Sequence, residues 1–260
     1  MLVVEQLKPA LGEGWITQVV RSVKSGKEAS VYLCRGSDRA GGALVAAKAY
    51  LSVSRRTFRD DSVYREGGMR AANRRLVVAA TKRTRFGREV RFGGWIGHEF
   101  ETLRALYAAG ASVPRPIAVA GEALLLGWIG DSDGAAPPLH SVRLEGDEAA
   151  AVLAELLRQV ELFLAHDIVH GDLSEYNVLF WEGRPVVIDF PQAVDPRFNR
   201  AAKALLERDL RNLAAYFARA GVDFDWQRHA SDLWRRWLNS ELGRDDAPAV
   251  EDWEFWKQFV

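Results

Sequence analysis

The sequence has little cysteine, no long apolar run and no net charge of either sign. Its single cysteine, Cys34, excludes an internal disulfide and a cluster of thiolate metal ligands. No stretch reaches the roughly 18 uncharged apolar residues of a membrane helix. Residues 1–15 lack the basic region and apolar run of a signal peptide. We therefore expect a cytoplasmic protein with no membrane partner and with Cys34 as a small buried hydrophobe.

The charges balance, with Lys+Arg 35 against Asp+Glu 35. The molecule as a whole thus has no electrostatic preference for nucleic acid, although a local basic surface would still provide one. A length of 260 residues with 48% hydrophobic and 27% charged content is ordinary for a globular protein with one large or two small cores.

Three oxygen-bearing side chains occur close together between Ile168 and Asp195. Asp172 stands five residues before Asn177, and Asp189 follows a turn at 182–185 and a short apolar strand. Magnesium accepts such ligands together with phosphate oxygens. Phosphoryl transfer requires from a protein mainly positioning and charge neutralisation. The segment therefore predicts an ATP-dependent phosphotransferase.

Two β-branched runs near the N-terminus, Ile16–Val23 and Val31–Arg35, predict a hairpin. The turn at 24–30 is rich in small residues, so its backbone N–H groups can approach an anion closely. Because the turn has one glycine, an ordinary hairpin remains an alternative.

A lysine lies within the apolar strand predicted at 43–50. Lys48 is costly there unless an anion partners it. The next helix, predicted from Trp95 to Ala109, has an apolar stripe and carries Glu99, which is placed to pair with Lys48. The alternatives are a solvent-facing lysine and a surface glutamate.

Residues 51–94 form a basic insert, which we expect to be mobile and only partly helical, with a helix from Met69 to Ala80. It suits RNA, an acidic protein or a triphosphate, and a plain solvated surface is the alternative. Its acidic residues are only Asp60, Asp61, Glu66 and Glu89. Its basic residues are Arg55, Arg56, Arg59, Arg65, Arg70, Arg74, Arg75, Lys82, Arg83, Arg85, Arg88 and Arg91.

The C-terminal half is predicted to be mainly helical. A flexible connector at 127–138 leads to helices at Asp147–Ala165 and Ala201–Arg219. On the second helix, Asp209 is expected to serve as a cap or hydrogen-bond acceptor. The tryptophans after residue 225 are expected to pack in the core; with one phenylalanine among them they are Trp226, Trp234, Trp237, Trp253, Phe255 and Trp256.

These motifs occur together in an order that resembles the protein-kinase-like fold and, within it, the RIO family of atypical protein kinases. The resemblance covers about residues 16–220. Its strings are GKEASVY (26–32), FRDDSVY (58–64), VPRPI (113–117), HGDLSEYNVLF (170–180), IDFPQAVDP (188–196) and ERDLRNLAAYF (207–217).

The resemblance implies an α+β, bilobal fold. The N-lobe, at 1–126, would hold an antiparallel sheet plus a helix, the hinge would lie at 127–130, and the mainly helical C-lobe would occupy 131–260. It implies a kinase trimmed of its activation loop and peptide-docking helices, because Asp189-Phe190-Pro191 replaces D-F-G and no A-P-E follows. It also implies the short or bacterial form, without an N-terminal winged-helix domain.

The resemblance assigns roles to residues, with ATP and Mg²⁺, or Mn²⁺ in its place, as cofactors. Asp172 would be the catalytic aspartate, Asn177 and Asp189 the metal ligands, and Lys48, paired with Glu99, a phosphate contact. The remaining ATP contacts would be Ser25, Gly26, Lys27 and Ser30 over the triphosphate, and Leu126, Trp128, Ile129 and Gly130 around adenine.

The implied function is a RIO-like serine/threonine kinase or ATPase acting on itself or another protein, with a role in ribosome assembly. Autophosphorylation would fall in the basic insert, at Ser52, Ser54, Thr57 or Ser62. Two alternatives stay open: a small-molecule phosphotransferase like the aminoglycoside and choline kinases, and a nucleotide-switched factor that binds RNA or a ribosomal particle through the basic insert.

Overall fold

A computed structural model describes residues 2–42, 44–51 and 85–243. The helices are α1 (Leu2–Gly12), α2 (Arg85–Ala108), α3 (Gly146–Ala165), α4 (Ala202–Arg219) and α5 (Trp226–Leu238). The strands are β1 (Ile16–Ser25), β2 (Ala29–Gly36), β3 (Leu44–Tyr50), β4 (Pro116–Ala120), β5 (Ala123–Gly127), β6 (Val178–Trp181) and β7 (Arg184–Val187). Short 3₁₀ turns lie at Asp38–Ala40 and Leu139–Ser141.

The N-terminal half is built on a five-stranded antiparallel sheet in the order β1-β2-β3-β5-β4. The predicted hairpin is confirmed, with β1 and β2 paired as far as Ser25 and Ser30. The two strands predicted around residues 117 and 124 are also present, as β4 and β5.

Successive side chains along β3 point to opposite faces of this sheet. Val45, Ala47 and Ala49 are fully buried in a small core with Cys34, as expected for that thiol, and with α1. The sequence pattern did not predict α1, whose Leu7 and its neighbours cover this face. Lys48 has the opposite parity and therefore points to the other face.

The opposite face packs against α2 and joins the larger core of the C-terminal half. The prediction that this helix begins at Trp95 is wrong, because α2 begins at Arg85 and includes the last part of the basic insert. The predicted helix Met69–Ala80, the four candidate autophosphorylation sites, and Trp253, Phe255 and Trp256 lie outside the described residues.

The larger core lies among α3, α4, α5 and the β6–β7 hairpin. Helices α3 and α4 start within one residue of the predicted positions. As predicted for the tryptophans of this half, Trp226, Trp234 and Trp237 pack against this core. Within the described ranges, no helix has the length and apolarity needed to cross a membrane.

The connector between the halves, which we predict to be flexible, contains a hydrogen-bonded turn. β5 ends at Gly127, and Gly130 then bridges to Ala135. The Asp131 carboxylate accepts from the N–H groups of Asp133 and Gly134 at 2.9 and 2.8 Å. The sequence favours this turn, because an Asp side chain can accept hydrogen bonds from the backbone N–H groups that follow it and Gly adopts turn conformations without steric cost.

Candidate active site

A three-membered charge cluster lies where the sheet meets the C-terminal half. Lys48 Nζ donates to Glu99 Oε1 at 2.7 Å and to Asp189 Oδ1 at 2.6 Å. The three residues come from β3, α2 and the segment after β7, so the predicted pairing of Lys48 with Glu99 is present and a third partner joins it.

Glu99 is the buried member of the cluster, with its side chain 1% exposed. Its carboxylate also accepts from the Phe190 backbone N–H at 3.3 Å and from the Tyr50 hydroxyl. Burial raises the pKa of Glu99, against the opposing charge of Lys48. Burial would lower the pKa of Lys48, but its two carboxylate partners outweigh burial and hold that pKa above its ordinary value.

Asp189 is the most exposed member of the cluster, with 42% of its side chain exposed. Its backbone is left-handed, with φ 72°, a conformation that costs a non-glycine residue roughly 1 kcal/mol and is concentrated at functional sites. Burial acts to raise its pKa, but the Lys48 ammonium overrides burial and lowers it. The Asp189 carboxylate is therefore ionised and able to bind a cation.

The loop that carries Asp172 is held by side chains of α4. Asp209, which is buried, accepts from the N–H groups of Gly171 at 2.8 Å and Leu173 at 3.0 Å. Asn212 donates to the Leu173 carbonyl at 3.0 Å, and Arg208 donates to the Gly171 carbonyl. The two residues flanking Asp172 thus have both backbone polar groups bound. Asp209 is a hydrogen-bond acceptor, as predicted.

His170 joins this loop to the segment before Asp189. Its Nε2 lies 3.1 Å from the Ile188 carbonyl, and its Nδ1 accepts from the Asp172 N–H at 3.2 Å. A proton on Nδ1 would face that N–H donor, so the contacts select the neutral ring. Burial lowers the pKa of His170 to about 4, which keeps the ring neutral near pH 7.

Asp172 and Asn177 are linked within one loop. The Asn177 amide nitrogen donates to the Asp172 carbonyl at 2.8 Å and to its carboxylate at 3.3 Å, which leaves the amide oxygen for other ligands. Asp172 lies at the surface, yet the loop around it removes part of its hydration and raises its pKa, against the charge of Arg208.

Asn177 and Asp189 are brought together by the hairpin between them. The Ile188 N–H donates to the Asn177 carbonyl at 2.9 Å, one residue before Asp189. One carboxylate and one amide oxygen fit Mg²⁺, which takes few protein ligands and fills its octahedron with phosphate oxygens and water.

The small-residue turn at the end of β1 is held by few bonds. The Gly26 N–H donates to the Ala29 carbonyl at 2.9 Å, and the Ser25 and Ser30 hydroxyls lie 3.0 Å apart. Lys27 is exposed at its tip. The turn is open enough for an anion to reach its backbone.

Several backbone groups of the segment predicted to frame adenine are already bound. The Gly127 N–H donates to the Arg115 carbonyl at 2.7 Å, and the Ala136 N–H donates to Ile129 at 2.9 Å. Trp128 is buried, and its indole donates to the Asp131 carbonyl. Leu126 belongs to β5 and pairs with β3 and β4. Gly130 has a structural role as well, because a Cβ there would meet the Gly134 carbonyl at 2.3 Å.

Sequence reasoning missed five residues that support the site, namely Tyr50, Trp95, His98, Arg208 and Asn212. Each acts on a residue far away in the sequence, so no local spacing reveals it. The only available signal was the polar residues at 208 and 212 of α4, which share the helix face of Asp209.

This arrangement is a protein-kinase-like fold. Two crystal structures of the Rio2 kinase from Chaetomium thermophilum have the same architecture. One, a complex with ADP/Mg²⁺ and phosphoaspartate, has a TM-score of 0.64 at 20% identity, over 100% of this chain and 70% of that one. The other has a TM-score of 0.63 at 20% identity, over 98% of this chain and 72% of that one.

The RIO domain model matches residues 30–229, so the chain belongs to the RIO domain family. It is 36% identical over 214 residues to the RIO-type serine/threonine-protein kinase Rio1 of Haloferax volcanii, over 82% of this chain and 68% of that protein. It is 31% identical over 224 residues to the serine/threonine-protein kinase RIO1 of Chaetomium thermophilum, over 82% of this chain and 42% of that protein. This membership favours the RIO interpretation over a small-molecule phosphotransferase.

Proposed function

We propose that the chain is an ATP- and Mg²⁺-dependent phosphotransferase that transfers the γ-phosphoryl group to a serine or threonine of itself or another protein, or to water. The observation that carries this proposal is the joint placement of Lys48, Glu99 and Asp189 beside the loop with Asp172 and Asn177. The relatives that bear the name serine/threonine-protein kinase support it.

The residues divide the work by their chemistry. Asp172 accepts the proton of the attacking hydroxyl, and its raised pKa suits it to that task. Lys48, fixed by Glu99, binds phosphate oxygens. Asn177 and Asp189 would hold Mg²⁺, which supplies neutralisation of phosphate charge when bound. The solved Rio2 complex with ADP and Mg²⁺ supports these cofactors for this chain.

The nucleotide would lie between the small-residue turn and the connector. Ser25, Gly26, Lys27 and Ser30 would cover the triphosphate with backbone N–H groups and hydroxyls. Residues 126–130 would frame adenine and form the hinge between an N-lobe at 1–126 and a C-lobe at 131–260.

The test is γ-phosphate release and autophosphorylation by the wild type and by Asp172→Ala and Asp189→Ala. We expect Asp172→Ala to lower turnover by about 10²–10⁴, the usual contribution of a positioned proton acceptor. Asp223→Ala, a change of an exposed carboxylate elsewhere in the chain, is the matched control. Full activity of Asp189→Ala would contradict the metal assignment.

RNA binding, a role in ribosome assembly and a cytoplasmic location stay predictions. The first two depend on the basic insert, of which residues 52–84 lie outside the described part of the chain. Salt-dependent RNA binding by the full chain would support these two predictions, because phosphate contacts weaken steeply as ionic strength rises. RNA binding that does not change with salt concentration would argue against both.

A further inference from the structure

Three side chains on one face of α2 bind the backbone of the segment that follows Asp189. Trp95 Nε1 donates to the Pro191 carbonyl at 2.7 Å, and His98 Nε2 lies 2.8 Å from the Ala193 carbonyl. Glu99 accepts from the Phe190 N–H. The spacing of these side chains, i, i+3 and i+4, puts them on the same helix face.

The segment is held on its other side by the C-terminal core. The Phe190 ring is fully buried, with its centroid 4.6 Å from that of His170 and 5.6 Å from that of Phe163. Val194 pairs with Val169 through two backbone hydrogen bonds of 2.9 Å. The three contacts from α2 join this segment to the helix that carries Glu99, in addition to the direct ion pair of Asp189 with Lys48.

We infer that Trp95 and His98 are positioning residues, which fix the 190–193 backbone to α2 and thereby keep Asp189 and Glu99 together on Lys48. This inference rests on the proposed function for its catalytic consequence. The contacts themselves are properties of the nucleotide-free protein.

Two variants each remove one hydrogen-bond donor, and a third variant restores the donor at position 98. Trp95→Phe keeps a ring next to Tyr50 but loses the N–H, and His98→Leu loses the imidazole donor. We expect each to lower kcat about fivefold to tenfold, equivalent to about 1 kcal/mol. The Mg²⁺ concentration for half-maximal rate should rise by a similar factor, while the KM for ATP changes less than about twofold. His98→Gln, which can still donate, should recover most of the rate.

Amide hydrogen exchange of the nucleotide-free protein supplies a second measurement that does not depend on turnover. The Phe190 amide, protected by Glu99, should exchange about tenfold faster in both variants. Trp15→Phe is the matched control, because it removes an indole bond of 3.1 Å to Glu13 next to the small core on the other face of the sheet. In that control, exchange at 188–194 and kcat should equal those of the wild type.

The inference is overturned if Trp95→Phe and His98→Leu match Trp15→Phe in both measurements. A wild type without ATP turnover, but with faster exchange in the two variants, would overturn the proposed function and leave the positioning role intact.

Discussion

The two loops that we propose to lie on either side of the nucleotide are built differently. The loop around Asp172 has its backbone bound by buried Asp209, by Asn212 and by His170. The turn at 25–30 has a backbone bond from Gly26 to Ala29, a second from Leu51 to Glu28 and a contact between two hydroxyls, and residues 25–28 are exposed.

In the proposed function the two loops have different tasks. A proton acceptor must keep a fixed geometry relative to the reacting atoms, which fits the hydrogen bonds from α4 to the loop around Asp172. A cover over a triphosphate must open for nucleotide exchange, which fits the exposure of residues 25–28. Local stability is therefore expected to follow the number of buried hydrogen bonds in each loop.

The largest effect is expected from Asp209→Ala, which removes the main support of the loop around Asp172. The N–H groups of Gly171 and Leu173 would be left buried and unpaired, at about 1–3 kcal/mol each. Urea unfolding should show a loss of about 2–6 kcal/mol. Asp209→Asn keeps one acceptor oxygen and should lose less. A loss below about 1 kcal/mol for the alanine variant would show that the loop does not depend on α4.

Acidification should weaken the same loop through His170. The unfolded chain protonates this histidine below pH 6.5, whereas the folded protein resists protonation down to pH about 4. At this residue the unfolded state thus binds more protons in this window, so the contribution of His170 to stability falls by about 3 kcal/mol as pH drops from 6.5 to 4.

The measurement is urea unfolding at several pH values for the wild type and for His170→Asn, which keeps an acceptor near Nδ1 but does not titrate. The difference between the two pH profiles isolates the histidine. This matters because burial raises the pKa of Asp209 to about 7, which acts in the opposite direction. Parallel profiles would contradict the assignment of a neutral, buried imidazole.

A smaller effect is expected from Asn212→Leu, which removes one donor to the Leu173 carbonyl. The carbonyl is left without this partner, at a cost of about 1–2 kcal/mol in unfolding free energy. Turnover should fall together with stability at the growth temperature. Asn239→Leu, at the exposed end of α5, is the matched control and should change little.

The smallest effect is expected in the opposite loop, from Ser30→Ala. The Ser25 hydroxyl that loses its partner is exposed and can bind water, so the loss of stability should stay under about 1 kcal/mol. The KM for ATP should rise instead, because the turn is less well ordered. Ser22→Ala, at an exposed position of β1, is the control. A loss of stability as large as that expected for Asp209→Ala would contradict the proposed difference between the two loops.

Local patterns predicted much of this molecule. The hairpin, α3, α4 and the strands on either side of Glu122 follow from periodicity and turn residues, and the pairing of Lys48 with Glu99 follows from the cost of burying an unpaired charge. The start of α2 was predicted ten residues too late, because Gly93 and Gly94 interrupt its pattern. Helix α1 was missed because its short apolar face becomes informative only when a sheet lies beneath it.

The sequence by itself determined the chemistry of the site, because the residue types at 48, 99, 172, 177 and 189 suit a phosphoryl-transfer site and their order resembles one family. Only the tertiary structure decided how those residues are held. Three sets of contacts join residues more than thirty positions apart. They are the ion pair of Asp189 with Lys48, the hydrogen bonds from α4 to the loop around Asp172, and the contacts of Trp95 and His98 with the 190–193 backbone. Such contacts arise from the packing of whole elements, which no local pattern of side chains encodes.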